Sequence, residues 1–203
     1  MWPMKTLLIA TTNKHKVAEI SAKLGELGLI DIELLDLSAY PEYIAPVENG
    51  LNFAENAALK ARAAASVSGY WALADDSGLT VEALGGAPGI YSARYAGVQQ
   101  DDAANNAKLL TQLAHTPAGQ RQAAFCCAIA LASPEGQLRL AEGKVEGEIL
   151  KEPRGGAGFG YDPLFYLPAL GRAMAELTTA EKNRLSHRAI ALEKILQLIK
   201  DWL

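Results

Sequence analysis

The sequence predicts an α/β protein built on a mixed β-sheet, and three observations predict it. Apolar runs of strand length alternate with segments whose apolar residues recur at helical spacing. Two long apolar runs flank a Pro134-Glu135-Gly136 turn, as the arms of an antiparallel hairpin do. Half of the 203 residues are hydrophobic, enough to bury a core as one domain or two closely joined lobes. Strands joined through helices together with strands joined by a hairpin make a mixed sheet flanked by helices, and two lobes around a cleft fit that pattern.

Taken in order, residues 7–10 read as a buried strand, Thr11-Thr12-Asn13 as a turn, and Val17, Ile20, Leu24 and Leu27 as one face of a helix. A second strand is expected at 32–35, followed by a polar, proline-containing loop over 38–50. Asn52, with Glu55 three residues on, reads as the N-cap and capping box of a helix running to about residue 66. Residues 71–74 read as a strand ending at Asp75-Asp76-Ser77-Gly78, residues 85–89 as a turn cluster, and 101–113 as a helix with Leu109, Leu110 and Leu113 inward. Long strands are expected at 123–131 and 138–150, and a short one at 164–167. Thr178 with Glu181 gives a second capping box, Ser186 caps a restart, and the last helix turns Leu192, Ile195, Leu196 and Ile199 inward.

Composition excludes several classes. A net charge of −4 argues against a protein that coats nucleic acid, because such binders carry a basic excess. Cys126 and Cys127 are adjacent in an apolar strand, so their side chains point to opposite faces and cannot jointly ligate a metal. Free thiols, with no secretory or membrane-spanning segment, point to the cytoplasm.

The candidate chemistry is spread along the chain. Residues 153–163 carry glycines at 155, 156, 158 and 160 around Phe159 and Tyr161, a shaped loop that offers flat apolar faces to a ring. Lys14, His15 and Lys16 open the first helix, at the positive end of its dipole, a conflict that a bound anion would relieve. Thr11, Thr12 and Asn13 with the free N–H groups make a phosphate site there, over which Lys16 reaches, although an Asn-capped surface helix reads equally well. Asp75 and Asp76 are neighbouring carboxylates that repel and call for a cation or proton between them; magnesium suits, with Glu48 as a third carboxylate. Against this stands an ordinary Asp-capped turn. Lys60 shares a helix face with Phe53 and Asn56, while Lys182, His187 and Arg188 crowd helix starts near the C-terminus and can donate to a base carbonyl or a phosphate.

Thr11-Thr12-Asn13-x-x-Lys16, Glu48-Asn49-Gly50, Phe53-x-Glu55-Asn56-Ala57-x-x-Lys60-Ala61, Asp75-Asp76-Ser77-Gly78-Leu79, the 85–94 segment, Gly158-Phe159-Gly160-Tyr161-Asp162-Pro163 and Ser186-His187-Arg188 together resemble the inosine/xanthosine triphosphate pyrophosphatase family in order and spacing. The resemblance runs from Leu7 to the last helix and implies a single catalytic domain over residues 1–203 with an elongated α/β fold and a central nucleotide cleft. It implies Mg2+-dependent hydrolysis of ITP, dITP and XTP to the monophosphate and pyrophosphate, by a homodimer that cleanses the nucleotide pool. By position it makes Asp76 the catalytic acid-base residue and a metal ligand, with Glu48 and Asp75 at the metal. Thr11, Thr12, Asn13, Lys14, His15 and Lys16 fall at the triphosphate. Ser77, Lys60, Lys182 and Arg188 meet substrate, and Phe159, Gly160, Tyr161, Asp162 and His187 form the base pocket. Thr12 stands where such proteins frequently have glycine, and Trp2-Pro3 reads as an extension outside the fold.

Three rivals stand beside this reading. A Maf-like pyrophosphatase acting on modified pyrimidines is disfavoured by the 159–163 and 186–188 motifs. A silent nucleotide sensor is disfavoured by Glu48, Asp75 and Asp76, and a nucleic-acid module by the acidic balance.

Overall fold

The computed structural model describes residues 5–29, 32–97 and 101–199; Trp2-Pro3 and the side chain of Ile199 lie outside the described residues. Seven strands form one sheet in the order β2-β1-β3-β4-β5-β6-β7. They are β1 Lys5–Ile9, β2 Ile32–Asp36, β3 Trp71–Val81, β4 Gln122–Ala132, β5 Leu138–Ile149, β6 Phe165–Leu167 and β7 Arg172–Ala173. The helices are α1 Lys14–Glu26, α2 Phe53–Ser68, α3 Asp102–Gln112, α4 Thr179–Leu185 and α5 His187–Ile199. β1 pairs parallel with β2 and β3, whereas β6 pairs antiparallel with β5 and β7, so the sheet is mixed as expected. Hydrogen bonds from Ser133 N to Gln137 O and from Ile149 N to Arg121 O bracket the hairpin of β4 and β5.

The chain divides into two compact units: Met1–Asp76, Cys127–Gly143 and His187–Leu203 form one, and Ser77–Cys126 and Lys144–Ser186 the other. In the first unit the strand period of two sorts side chains by size. Leu7, Ile9, Leu73, Cys127, Ile129 and Leu131 pack with Ile20 and Leu24 of α1 and with Leu192, Ile195 and Leu196 of α5. Their strand neighbours Leu8, Ala10, Ala72, Ala74, Ala128, Ala130 and Ala132 pack with α2 through Ala57, Ala58, Ala61, Ala64 and Ala65. Alanine against alanine lets α2 lie close to the sheet, which brings its polar side chains within reach of β3. Glycine does the same for α5: a Cβ on Gly143 of β5 would sit 2.0 Å from the His187 carbonyl oxygen and 2.7 Å from Ala191 N.

The second unit buries Leu79, Val81, Leu109, Leu113, Phe125, Tyr161, Leu164 and Phe165 in one cluster, with the Phe125 and Phe165 ring centroids 4.4 Å apart. Arg121 closes it: its guanidinium donates to the carbonyls of Leu113, Ile149 and Leu150, satisfying the end of α3 from inside.

One expectation fails in an instructive place. Asp75-Asp76-Ser77-Gly78 is not a turn; β3 runs straight through it to Val81. Local turn chemistry is overridden because Leu79 and Val81 are fully buried and Leu79 N is held by Ser92 Oγ at 2.9 Å.

Candidate active site

Because Asp75 and Asp76 are neighbours in a strand, their side chains leave opposite faces of β3, and each meets its own cations. Asp75 follows the face of Leu73, towards α1 and α5. Its Oδ2 accepts from Lys16 Nζ at 3.0 Å and from Arg188 Nε and Nη2 at 3.2 and 3.1 Å. Arg188 also donates through Nη1 to Glu19, three residues beyond Lys16 on α1. Burial alone would raise the Asp75 carboxyl, but Lys16, Arg188 and Lys60 hold it well below the usual carboxylate range.

Asp76 follows the face of Ala74, towards α2. Its Oδ1 accepts from Lys60 Nζ at 2.8 Å and its Oδ2 from Asn56 Nδ2 at 3.3 Å. Lys60 Nζ also lies 3.0 Å from Glu48 Oε1. Asn56 fixes the loop that carries Glu48, since its Oδ1 accepts from Gly50 N at 2.8 Å. That loop is tied again at the start of α2: Asn52 Oδ1 accepts from Glu55 N as expected, while the Glu55 carboxylate accepts from Leu51 N and Asn52 Nδ2 in place of the Asn52 backbone N–H that a capping box uses. Burial raises the proton affinity of Asp76 above the ordinary carboxylate value despite the pull of Lys60. Lys60 is held above the ordinary lysine range because Asp76, Asp75 and Glu48 outweigh its own burial.

The turn before α1 is as tight as the sequence suggested. Thr11 Oγ1 accepts from Asn13 N, and Asn13 Oδ1 caps the helix by accepting from His15 N and Lys16 N. Lys14, His15 and Thr12 are exposed there, while the Lys16 ammonium turns to Asp75. His187 is buried at the first turn of α5, beside Arg188. The first unit therefore brings Lys16, Glu48, Lys60, Asp75, Asp76 and Arg188 into two linked charge clusters.

Ser77 opens the second unit, and the 158–162 turn is its organised feature. Asp162 Oδ2 accepts from Phe159 N at 3.0 Å and from Lys182 Nζ at 2.7 Å, and the same ammonium lies 4.5 Å from the Phe159 ring centroid. Gly158 has φ of +81°, and a Cβ there would meet Asp162 Oδ2 at 2.1 Å, so glycine is required on both counts. Tyr161 is buried and donates to Ser92 O at 2.9 Å. Phe159, Gly160, Tyr161, Asp162 and Lys182 thus converge, with Lys182 on the turn itself.

Four contributors escaped the sequence reading: Glu19, Ser92, Asp102 and Asn106. Glu19 had a signal, because it lies one turn from Lys16 on α1. The others touch partners through folding alone.

The mixed-sheet α/β fold that carries these residues is shared with solved structures. A HAM1 protein from Coxiella burnetii superposes with a TM-score of 0.87 at 42% identity, covering 98% of this chain and 100% of that one. The Ham1 protein of Staphylococcus aureus gives 0.86 at 38% identity, covering 98% and 100%. The chain belongs to the Ham1 family, whose profile matches residues 7–198. Among its relatives, a dITP/XTP pyrophosphatase of Exiguobacterium sibiricum is 51% identical over 197 residues, 97% of this chain and 98% of that protein. A dITP/XTP pyrophosphatase of Geobacter sulfurreducens is 50% identical over 200 residues, 98% and 97% of the two chains.

Proposed function

We propose that this chain hydrolyses ITP, dITP and XTP to the nucleoside monophosphate and pyrophosphate, removing non-standard purine nucleotides before they enter DNA or RNA. The observation that carries the reading is Asp76: a buried carboxylate of raised proton affinity, aimed by Lys60 and Asn56 and set beside Glu48. The names of the relatives, at about half identity over nearly full length, supply the substrate class.

In this mechanism Asp76 takes the proton of a water whose oxygen attacks the α-phosphorus, while the bond to the β-phosphate oxygen breaks and pyrophosphate leaves. Asn56 and Lys60 fix the carboxylate against rotation, so the base is aimed before substrate arrives. Lys16 and the exposed Thr12, Lys14 and His15 face the negative charge of the triphosphate. The donor set fits Mg2+: Asp76 and Glu48 already converge on one cationic position, occupied by the Lys60 ammonium, and magnesium takes one or two carboxylates with water and phosphate oxygens. Held by Asp76 and Glu48, Mg2+ would supply Lewis-acid charge to the phosphate oxygens. Asp75 serves through Lys16 and Arg188, as a positioning residue.

The base falls to the 159–162 turn, with Lys182. Donors facing the C6 oxygen of hypoxanthine or xanthine leave the 6-amino group of adenine opposed by a donor, a mismatch that gives roughly 10⁴-fold rejection. No helix among the described residues is long and apolar enough to cross a membrane; we assign the enzyme to the cytoplasm as a homodimer, which sedimentation tests.

The deciding experiment is pyrophosphate release from ITP, dITP, XTP, GTP, ATP, UTP and CTP with and without Mg2+, for the wild type and Asp76→Asn. Metal-dependent turnover of ITP and XTP, lost in a folded Asp76→Asn protein, is expected. Near-normal kcat in that variant overturns the role of Asp76, and turnover of pyrimidines alone overturns the substrate class.

A further inference from the structure

The apex of the 159–162 turn is held by a helix to which no role has been given. Gly160 N donates to Asp102 Oδ2 at 2.6 Å, and Gly160 O accepts from Asn106 Nδ2 at 2.9 Å. Asp102 and Asn106 stand one turn apart on α3, so a single helix face grips both polar groups of one residue. The rest of the turn is fastened elsewhere: Tyr161 to Ser92, Asp162 to Lys182 and to Phe159 N. Within the turn itself, the backbone bond across the apex, from Asp162 N to Phe159 O, is long at 3.3 Å. α3 is a firm anchor, with Leu109 and Leu113 fully buried, its end satisfied by Arg121, and Asn105 holding Ala96 N at 2.7 Å.

Asn106 bears a cost for its contact. Its Oδ1 is buried with no hydrogen-bond partner among the described residues, while its Nδ2 serves Gly160. A buried acceptor left unmatched opposes folding. Gly160 is only half-buried, so water could satisfy its carbonyl if Asn106 were absent. Stability alone does not account for this residue, whereas fixing the height of the Gly160 peptide does.

We propose that Asp102 and Asn106 are positioning residues that set how tightly the 159–162 turn closes on a purine, and thereby the preference for hypoxanthine and xanthine over guanine. This rests on the reading above that the turn receives the base. Guanine shares the C6 oxygen and differs from hypoxanthine by a 2-amino group, so a donor at C6 cannot separate them. A turn whose apex cannot recede can, by presenting a donor at C2 and leaving no partner for the hydrogens of the amino group. Xanthine's C2 oxygen is an acceptor, and the same rigid backbone admits it where it offers an N–H.

Near-isosteric substitutions with opposite expectations test this. Asp102→Asn keeps an oxygen for Gly160 N–H and is expected to hold the ITP-to-GTP ratio of kcat/KM within about twofold of the wild type. Asp102→Ala, Asn106→Ala and Asn106→Asp each remove one anchor, and each is expected to lower that ratio roughly fivefold to tenfold, through a higher KM for ITP with kcat little changed. Melting temperatures should stay close to the wild type, with Asn106→Ala no lower. An Asn106→Asp protein with wild-type selectivity overturns the proposal, as do variants that lose ITP and GTP turnover by one common factor together with melting temperature. Amide hydrogen exchange at Gly160, slow in the wild type and Asp102→Asn and fast in Asp102→Ala, tests the anchoring without any substrate; equal exchange in all three refutes it. A wild type that leaves ITP and XTP uncleaved overturns the functional reading instead, and the exchange result still judges the anchor.

Discussion

Arg188→Met separates two uses of one guanidinium: a ligand for substrate, as the sequence suggested, or an internal cation, as its contacts suggest. Its Nε and Nη2 lie 3.2 and 3.1 Å from Asp75 Oδ2, its Nη1 meets Glu19, and the residue is 2% exposed. Methionine fills much of the volume but takes the guanidinium away from Asp75, whose side chain is wholly buried, while the Lys16 ammonium stays beside it. Breaking a buried pair by removing one partner costs about 3–5 kcal/mol. At 2–4 °C per kcal/mol for a chain of this size, the melting temperature should fall by roughly 6–20 °C. Differential scanning fluorimetry reads this directly, with ITP kinetics measured below the transition. Combining Arg188→Met with Asp75→Asn removes the stranded charge, so the double variant should recover at least half of the loss. A melting temperature within about 2 °C of the wild type, accompanied by a raised KM for ITP, would refute the internal role.

Three further outcomes are expected. Gly143→Ala should lower the melting temperature by roughly 2–12 °C, because its Cβ would meet the backbone of α5 and over-packing costs about 1–3 kcal/mol; unchanged stability would show that α5 can shift freely. Burial, reinforced by the nearby Asp75 charge, pushes the Cys127 thiol up to about 12, so it is essentially all neutral at pH 8 and should resist alkylation until the protein unfolds. Mass spectrometry after iodoacetamide treatment of the native protein would contradict this by finding Cys127 modified as fast as in urea. Lys60→Met leaves Asp76 and Glu48 without their shared ammonium, and should slow turnover while lowering the Mg2+ concentration that half-saturates the thermal shift; a higher concentration would count against a common cation position.

What could be read in the sequence was local. The Thr178 capping box, the Asn52 and Asn13 caps and the split of Cys126 from Cys127 follow from spacing within a turn or a strand, and each is found as expected. The same alternation that separates the cysteines also separates Asp75 from Asp76, yet there the turn-like string Asp-Asp-Ser-Gly concealed the strand. What stayed hidden was the choice of partner. Lys16, Lys60, Lys182 and Arg188 were legible as cations needing anions, but nothing in the order of residues says that Arg188 meets a carboxylate 113 positions earlier. Asp102 and Asn106 left still less trace, because polar residues on an amphipathic helix look solvated until the fold lays a loop across them.

The pairing bears on how a triphosphate is accommodated. In the first unit Lys16, Lys60 and Arg188 are each already engaged by carboxylates among Glu19, Glu48, Asp75 and Asp76. A substrate with several negative charges therefore needs cations beyond those already engaged. Lys14 and His15 at the start of α1 are too exposed and too well screened to supply them alone. On the proposed reading, Asp76 and Glu48 would hold a divalent cation that neutralises both carboxylates, and Lys60 would then be free of them. On the mechanism proposed above, the lysines of this site rest against its own acids, and metal dependence, tested by turnover with and without Mg2+, would follow from that charge pairing and not from a preformed cage.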